Sequence, residues 1–289
     1  MTTVDDFSTH RAHLFGVAYR MLGSVAEAED VVQEAFVRWS AVPPGSTRSP
    51  AAYLTTVTTR LAIDRLRSAQ HRRESYVGPW LPEPLLAVGD EPGDAAELAD
   101  SLTTAFLVLL EQLNPVERAI FLLHEVFGYA YDEVATVVER PASTCRQIGS
   151  RARARLAEQR RPRFLPAPAE GDRLLAAFAT AATAGDLDGL LEVLSADVVL
   201  WSDGGAERHA ARRPVVGASR VARLVANIAH QLPADSTFDM VHINGDPGLV
   251  ISTSEGPTGA LSVEVGAEGI SAVHIVVNPD KLRHLHHRA

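Results

Sequence analysis

The sequence predicts a multidomain chain: two all-α modules followed by an α+β domain. Three observations carry this. Helical periodicity with cap signals fills residues 1–75 and 101–161. Proline- and glycine-rich stretches interrupt the chain at 76–100 and 162–170. From residue 171 to 289, amphipathic helices come first and strand-like segments last.

In the first module, Ser24-Val25-Ala26-Glu27 is a capping-box pattern. The helix after it lines up Ala28, Val32, Ala35, Phe36 and Trp39 on one face, with Asp30, Gln33, Glu34 and Val37 on the other. Pro43 to Ser46 stop it, and Ser49-Pro50 start a long helix over about 51–69. In the second module, Asn114-Pro115-Val116-Glu117 starts a helix and Gly128 ends it. A short helix over about 132–138, a break at Arg140-Pro141 and a basic helix over about 143–159 make a helix-turn-helix pattern. In the last domain, helices are expected near 172–184, 187–195 and 219–230. Strands are expected at 197–201, 237–243, 248–254, 259–265 and 269–277, as a curved sheet wrapped over helices. The 76–100 linker carries Trp80, Leu81, Leu85 and Leu86, too apolar for an idle tether, so it is expected to dock.

The net charge is −9, against a nucleic-acid partner if taken alone. Its distribution reverses that reading: basic residues gather over 60–73 and 146–163, acidic ones over 90–100 and in the last third. Lys281 is the only lysine, and arginine codons of a GC-rich genome account for most of that bias. Cys145 is the only cysteine, so no intramolecular disulfide forms, and its expected role is packing behind the basic helix. No signal pattern and no apolar run of about 18 residues is present, so the expected location is the cytoplasm and no membrane partner is expected.

The run Ala28-Glu29-Asp30-Val31-Val32-Gln33-Glu34-Ala35-Phe36-Val37-Arg38-Trp39 resembles region 2 of the sigma-70 family in its short, extracytoplasmic-function form. The resemblance implies that Glu29, Asp30, Gln33, Glu34 and Val37 bind core RNA polymerase. An acidic helix face alone is ordinarily a solvated one; a second match strengthens this one. Ala52-Tyr53-Leu54 and Arg60 to Ser68 resemble the family's −10 recognition helix, which implies promoter-DNA contacts by Arg60, Arg67, Arg72 and Arg73. Residues 113–156 resemble region 4. A helix-turn-helix puts the N-terminal residues of its second helix against base edges. That assigns Ser143, Thr144, Arg146, Gln147, Ser150, Arg151 and Arg153 to the −35 element, with Arg153 nearer phosphate.

Three further segments resemble hallmarks of the ECF41 subgroup: Trp80-Leu81-Pro82-Glu83-Pro84, Asp203-Gly204-Gly205 and Asn278-Pro279-Asp280-Lys281-Leu282. The subgroup carries a C-terminal SnoaL-like domain of the NTF2-like superfamily, so these residues imply an interdomain regulatory contact. The family's glycine run usually continues to a lysine; here Ala206-Glu207 follow, which puts any contact of that lysine in doubt. The expected fold is thus two all-α sigma domains plus an α+β NTF2-like cone. The expected function is an alternative sigma factor that directs promoter-specific initiation, with its cone modulating activity.

Two rivals stand beside it: a small-molecule enzyme fused to a DNA-binding module, and a one-component ligand sensor. For an enzyme, Asp203, His209, His242 and His274 are the candidate bases. The sigma reading expects no catalytic residue, no cofactor and no metal; it leaves a small ligand of the cone open. His284, His286 and His287 read as a solvated tail.

Overall fold

The computed structural model describes residues 3–43, 45–74, 76–86, 102–159 and 168–288. Among them, 3–74 and 105–159 fold as one compact unit, and 76–86, 102–104 and 168–288 as another.

The N-terminal unit is helical. Helices α1 (Thr3–Leu22), α2 (Val25–Ser40) and α3 (Pro50–Glu74) form its first half. Gly23, at φ 66°, makes the turn into α2, and the Ser24 side chain accepts from Glu27 N at 3.1 Å, which caps it. Helix α2 buries Ala28, Val31, Val32, Ala35 and Trp39. Trp39 and Val32 pack with Phe7, Leu14 and Leu54 into one core. Helix α3 runs five residues past its expected end, to Glu74.

The second half holds α4 (Thr104–Leu110), α5 (Pro115–Phe121), α6 (Tyr131–Val138) and α7 (Ala142–Gln159). Asn114 and Glu117 close a reciprocal capping box around Pro115. Helix α5 runs into a π-helical turn, Leu122–Val126, which the sequence did not announce. Gly128, at φ 70°, then reverses the chain. Helix α6 ends on Glu139 in the left-handed region at φ 54°, and Pro141 precedes α7. Ile120, Leu123, Val134, Val137 and Cys145 form the core of this helix-turn-helix.

The two halves of this unit are clamped together. Arg118, 1% exposed, donates to Met21 O at 2.8 Å and to Glu111 Oε1 at 2.9 Å. Arg60 donates to Val137 O and Thr136 O, each at 2.9 Å, and pairs with Glu139 at 3.0 Å. Tyr129 Oη lies 3.0 Å from His13 Nε2 and 3.1 Å from Thr55 Oγ1. Arg20 lies over the Phe127 ring, and burial lowers its pKa to about 10.

The C-terminal unit runs α8 (Pro168–Ala184), α9 (Leu187–Val193), β1 (Leu194–Asp203), β2 (Val215–Val216), α10 (Ala218–His230), β3 (Thr237–Ile243), β4 (Asp246–Thr253), β5 (Gly256–Gly266), β6 (Gly269–Val276) and α11 (Pro279–Leu282). Pro168 starts α8 four residues before the expected start, as a first-turn proline can. The sheet order is β2-β1-β6-β5-β4-β3. The last four strands pair antiparallel, while β1 lies parallel to β6. Phe178, Leu190, Val198, Leu200, Val221 and Val273 lie at the core between helices and sheet. Residues 76–86 belong to this unit. Leu85 N donates to Asn244 Oδ1 at 2.7 Å, Asn244 N donates to Leu85 O at 2.8 Å, and Leu86 forms a bridge with Ile243.

Candidate functional site

On α2 the face opposite the core is exposed, with Val37 62% accessible and Gln33 beside it on the next turn. Its carboxylates are already paired: Asp30 with Arg65 at 3.1 Å, Glu34 with Arg38 at 2.6 Å, and Glu29 with Arg11. Such exposed pairs contribute about 0–1 kcal/mol each, so a partner's cations can replace them at little cost. On α3, Arg67 pairs with Asp64 at 3.1 Å. Arg60, expected on DNA, instead holds the end of α6 in this conformation, because the carbonyls of Thr136 and Val137 and the Glu139 carboxylate lie within its reach. The side chains of Arg72 and Arg73 lie outside the described residues.

Helix α7 separates its faces cleanly. Cys145, Gly149, Ala152 and Leu156 are buried, while Ser143, Arg146, Gln147, Ser150 and Arg151 are exposed. The exposed set recurs at i, i+3, i+4, i+7 and i+8, which is one helical stripe. Gly149 is required there: a Cβ would lie 2.7 Å from the Tyr131 hydroxyl. Thr144 is half-buried, and Arg153 is held by Glu125 rather than standing free. Burial pushes the Cys145 thiol up, which suits packing and not nucleophilic chemistry.

The three short segments singled out in the sequence converge on Asp203, at the end of β1. Its carboxylate is fully buried and accepts four donors. Tyr76 Oη (2.5 Å) and Gly205 N (3.1 Å) donate to Oδ1; Leu81 N (2.8 Å) and Lys281 Nζ (2.7 Å) donate to Oδ2. Lys281 Nζ also donates to Leu81 O and sits 4.1 Å over the Trp80 ring and 5.2 Å from the Tyr76 ring centre. Asn278 donates from Nδ2 to Tyr76 Oη at 2.8 Å, and its Oδ1 caps α11 at Asp280 N, ahead of Pro279. Gly205, at φ 60°, packs so tightly on Asn278 that a Cβ would lie 2.7 Å from its Nδ2. Further along, Pro82, Glu83 and Pro84 are buried, and His284 Nε2 meets Pro84 O at 2.7 Å. Burial first, then the bond to Asp203, pushes the Tyr76 phenol far above its usual range, so it stays a donor. Tyr76, Asn244 and His284 were not among the expected site residues, and Lys281 lay within a hallmark segment without a role assigned to it.

Of the candidate bases, His209 and His242 are exposed, with His242 3.6 Å from Asp172. His274 is enclosed. Its Nδ1 has no hydrogen-bond partner among the described residues, and beside it lies a cavity of about 10 Å³ walled by Pro82, Pro84, Ser262 and Val276, space for about one water. That is too small for an organic substrate. Burial lowers the His274 pKa from 6.5 to about 4. The folded state therefore keeps it neutral while the unfolded chain takes up a proton near pH 6.5. Stability from this group is complete above pH 6.5 and is lost as pH falls toward 4, by on the order of 3 kcal/mol. Denaturant titrations from pH 7 to 4 are expected to show that slope in the wild type and a shallower one in His274→Phe; equal slopes would contradict this.

Among the described residues, no group of three His, Cys, Asp or Glu is placed to hold a metal, and no helix is long and apolar enough to cross a membrane.

A helix with an exposed acidic face, a long basic helix and a helix-turn-helix in this order define a promoter-recognition factor of the sigma-70 type. Sigma-70 region 2 matches residues 7–72 and Sigma-70 region 4 matches residues 103–156. The chain is 37% identical to the ECF RNA polymerase sigma factor SigJ of Mycobacterium tuberculosis, across 96% of this chain and 92% of that one. It is 35% identical to the probable ECF RNA polymerase sigma factor SigI of the same species, across 94% and 92%. The crystal structure of M. tuberculosis SigJ matches with a TM-score of 0.76 and 31% identity, covering 97% of this chain and 98% of that one. The chain belongs to the extracytoplasmic-function RNA polymerase sigma factors, which direct core polymerase to promoters and make no bonds themselves.

Proposed function

We propose that α2 docks on core polymerase through Glu29, Asp30, Gln33, Glu34 and Val37, that α3 handles the −10 element, and that α7 reads the −35 element. The exposed stripe of α7 carries the last assignment. Arg146 and Gln147 are the side-chain types for guanine and adenine edges, and Ser143, Ser150 and Arg151 flank them. Arg153 serves phosphate. Arg146→Ala is expected to cost about 1–3 kcal/mol at the cognate −35 element and to relax preference at one position. A promoter-library selection with the variant holoenzyme reads this; an unchanged preference would move the recognition register elsewhere on α7.

The C-terminal unit acts as a modulator by holding residues 76–86, which lie between the two DNA-reading segments in the sequence. A docked linker has less reach than a free one. The Asp203 centre supports this reading, since it ties Tyr76 and Leu81 to β1 and α11. A small ligand would act only by binding the docked and released states unequally. Deleting residues from 171 onward is expected to change promoter activity while −35 preference persists. If Trp80→Ala matches wild type in transcription but the truncation does not, the unit acts by another route.

A further inference from the structure

The C-terminal unit carries one polarised surface that its modulatory role does not use. Between Glu207 and Asp235 the sequence has no carboxylate, yet it holds Arg208, His209, Arg212, Arg213, Arg220 and Arg223. All are exposed, in a chain whose net charge is −9. On α3 the described arginines Arg60, Arg65 and Arg67 are each paired. Here, among the described residues, no ion pair or side-chain hydrogen bond engages any of the five arginines.

The loop that presents the first three is fixed. Arg208 N donates to Gly204 O at 3.1 Å, and Ala211 N donates to Ser202 Oγ at 2.8 Å. Gly204 has no room for a side chain, since a Cβ would lie 2.4 Å from Arg208 O. Little entropy is then lost when the loop meets a partner. Beside it runs a groove of about 150 Å³ walled by Gly78, Glu207, Arg208, His209 and Arg212 among others. No Phe, Tyr or Trp ring lines it, and Ala210, Ala211 and Pro214 supply no side-chain group for a base edge. The second pair starts elsewhere: Gly217 N bonds Val198 O at 2.9 Å, so α10 begins level with Val198, five residues from Asp203 on β1. At ~3.3 Å per residue that is about 17 Å, about five phosphate steps of a DNA strand at ~3.4 Å each.

We propose that the Arg208–Arg223 surface is a third promoter-DNA contact, gripping backbone phosphates without reading sequence. The proposal rests on the sigma-factor reading, which puts promoter DNA beside this chain. Its chemistry is cationic, and its arginines are exposed and unengaged, as contact with backbone phosphates requires.

The test uses holoenzyme reconstituted with the full chain. The salt dependence of duplex binding is compared for wild type, R208A/R212A/R213A and R208K/R212K/R213K. Each phosphate contact contributes about 0.9 to the slope of log K against log[salt], so the alanine variant is expected to lose about 2.7 and the lysine variant almost nothing. Promoter preference and affinity for core enzyme without DNA stay at wild-type values. An unchanged slope overturns the proposal. So does a loss of core affinity with the slope intact, which would make the surface a polymerase contact. A wild-type holoenzyme with no promoter preference would sink the sigma-factor reading instead, and the slope would still be read on nonspecific duplex.

Discussion

Lys281→Met is expected to destabilise the C-terminal unit by about 3–5 kcal/mol and to release residues 76–86 from it. Lys281 is 6% exposed and Asp203 fully buried, so removing the ammonium leaves a carboxylate without its counter-charge in a dry site. The Trp80 ring loses its cation and Leu81 O loses its donor at the same time. A melting-temperature drop on the order of 10 °C follows for a unit of this size. Asp203→Asn strands the ammonium and has a similar cost. The double variant removes both charges, so its cost is expected to fall well below the sum of the singles, with a coupling of about 2 kcal/mol or more. Thermal melts of the four proteins measure this, and proteolysis within residues 76–86 reports release. Additive losses would show that the pair is incidental to the linker's attachment.

Arg118→Ala is expected to open the N-terminal unit. The two segments proposed to read DNA sit close in this conformation. From Ser143 through Glu139 and Arg60 to Arg67 is at most roughly 40 Å, at 3.8 Å per Cα step, 1.5 Å per helical residue and two extended side chains. Elements named −35 and −10 lie about 25 base pairs apart, about 85 Å of straight duplex. With the proposed DNA contacts, the clamped form cannot read both at once, so opening is expected to precede initiation. Arg118 is the most buried part of the clamp, with charge-assisted bonds to Met21 O and Glu111. Only the bond to Met21 O crosses between the halves, and losing it costs about 1.5–3 kcal/mol, a roughly 10- to 150-fold shift toward the open form. Spin labels at Gln33→Cys and Ser150→Cys, both exposed positions, read the distance between the halves. A longer, broader distribution in Arg118→Ala is expected, with a smaller change in Arg60→Ala. An unchanged distribution in both would mean that the halves do not separate through this contact.

The parts of the fold governed by local rules were legible in the sequence. The capping-box pattern at Ser24, the Asn114 cap, Gly128, the buried face of α2 and the strand β3 follow from residue order alone. The parallel pairing of β1 with β6 was not legible, because it joins residues about 75 positions apart and leaves no local trace. At the Asp203 centre, the apolar residues of the linker pointed to docking, and the resemblance to the ECF41 subgroup pointed to Trp80–Pro84, Asp203–Gly205 and the segment from Asn278. Neither revealed that Lys281 threads between two rings to a buried carboxylate, since a terminal lysine ordinarily reads as solvated. Arg60 and Arg118 were opaque for the same reason. Their charge alone reads as phosphate or solvent contact, and only the tertiary neighbours show that they hold backbone carbonyls.

The most direct test of the central claim is transcription by purified core polymerase with the full chain on a promoter library. Transcripts are expected from templates sharing one −35 and one −10 element, lost with Asp30→Arg/Glu34→Arg and re-weighted at one −35 position by Arg146→Ala. Promoter-independent transcripts, or a selected set that neither substitution alters, would contradict it.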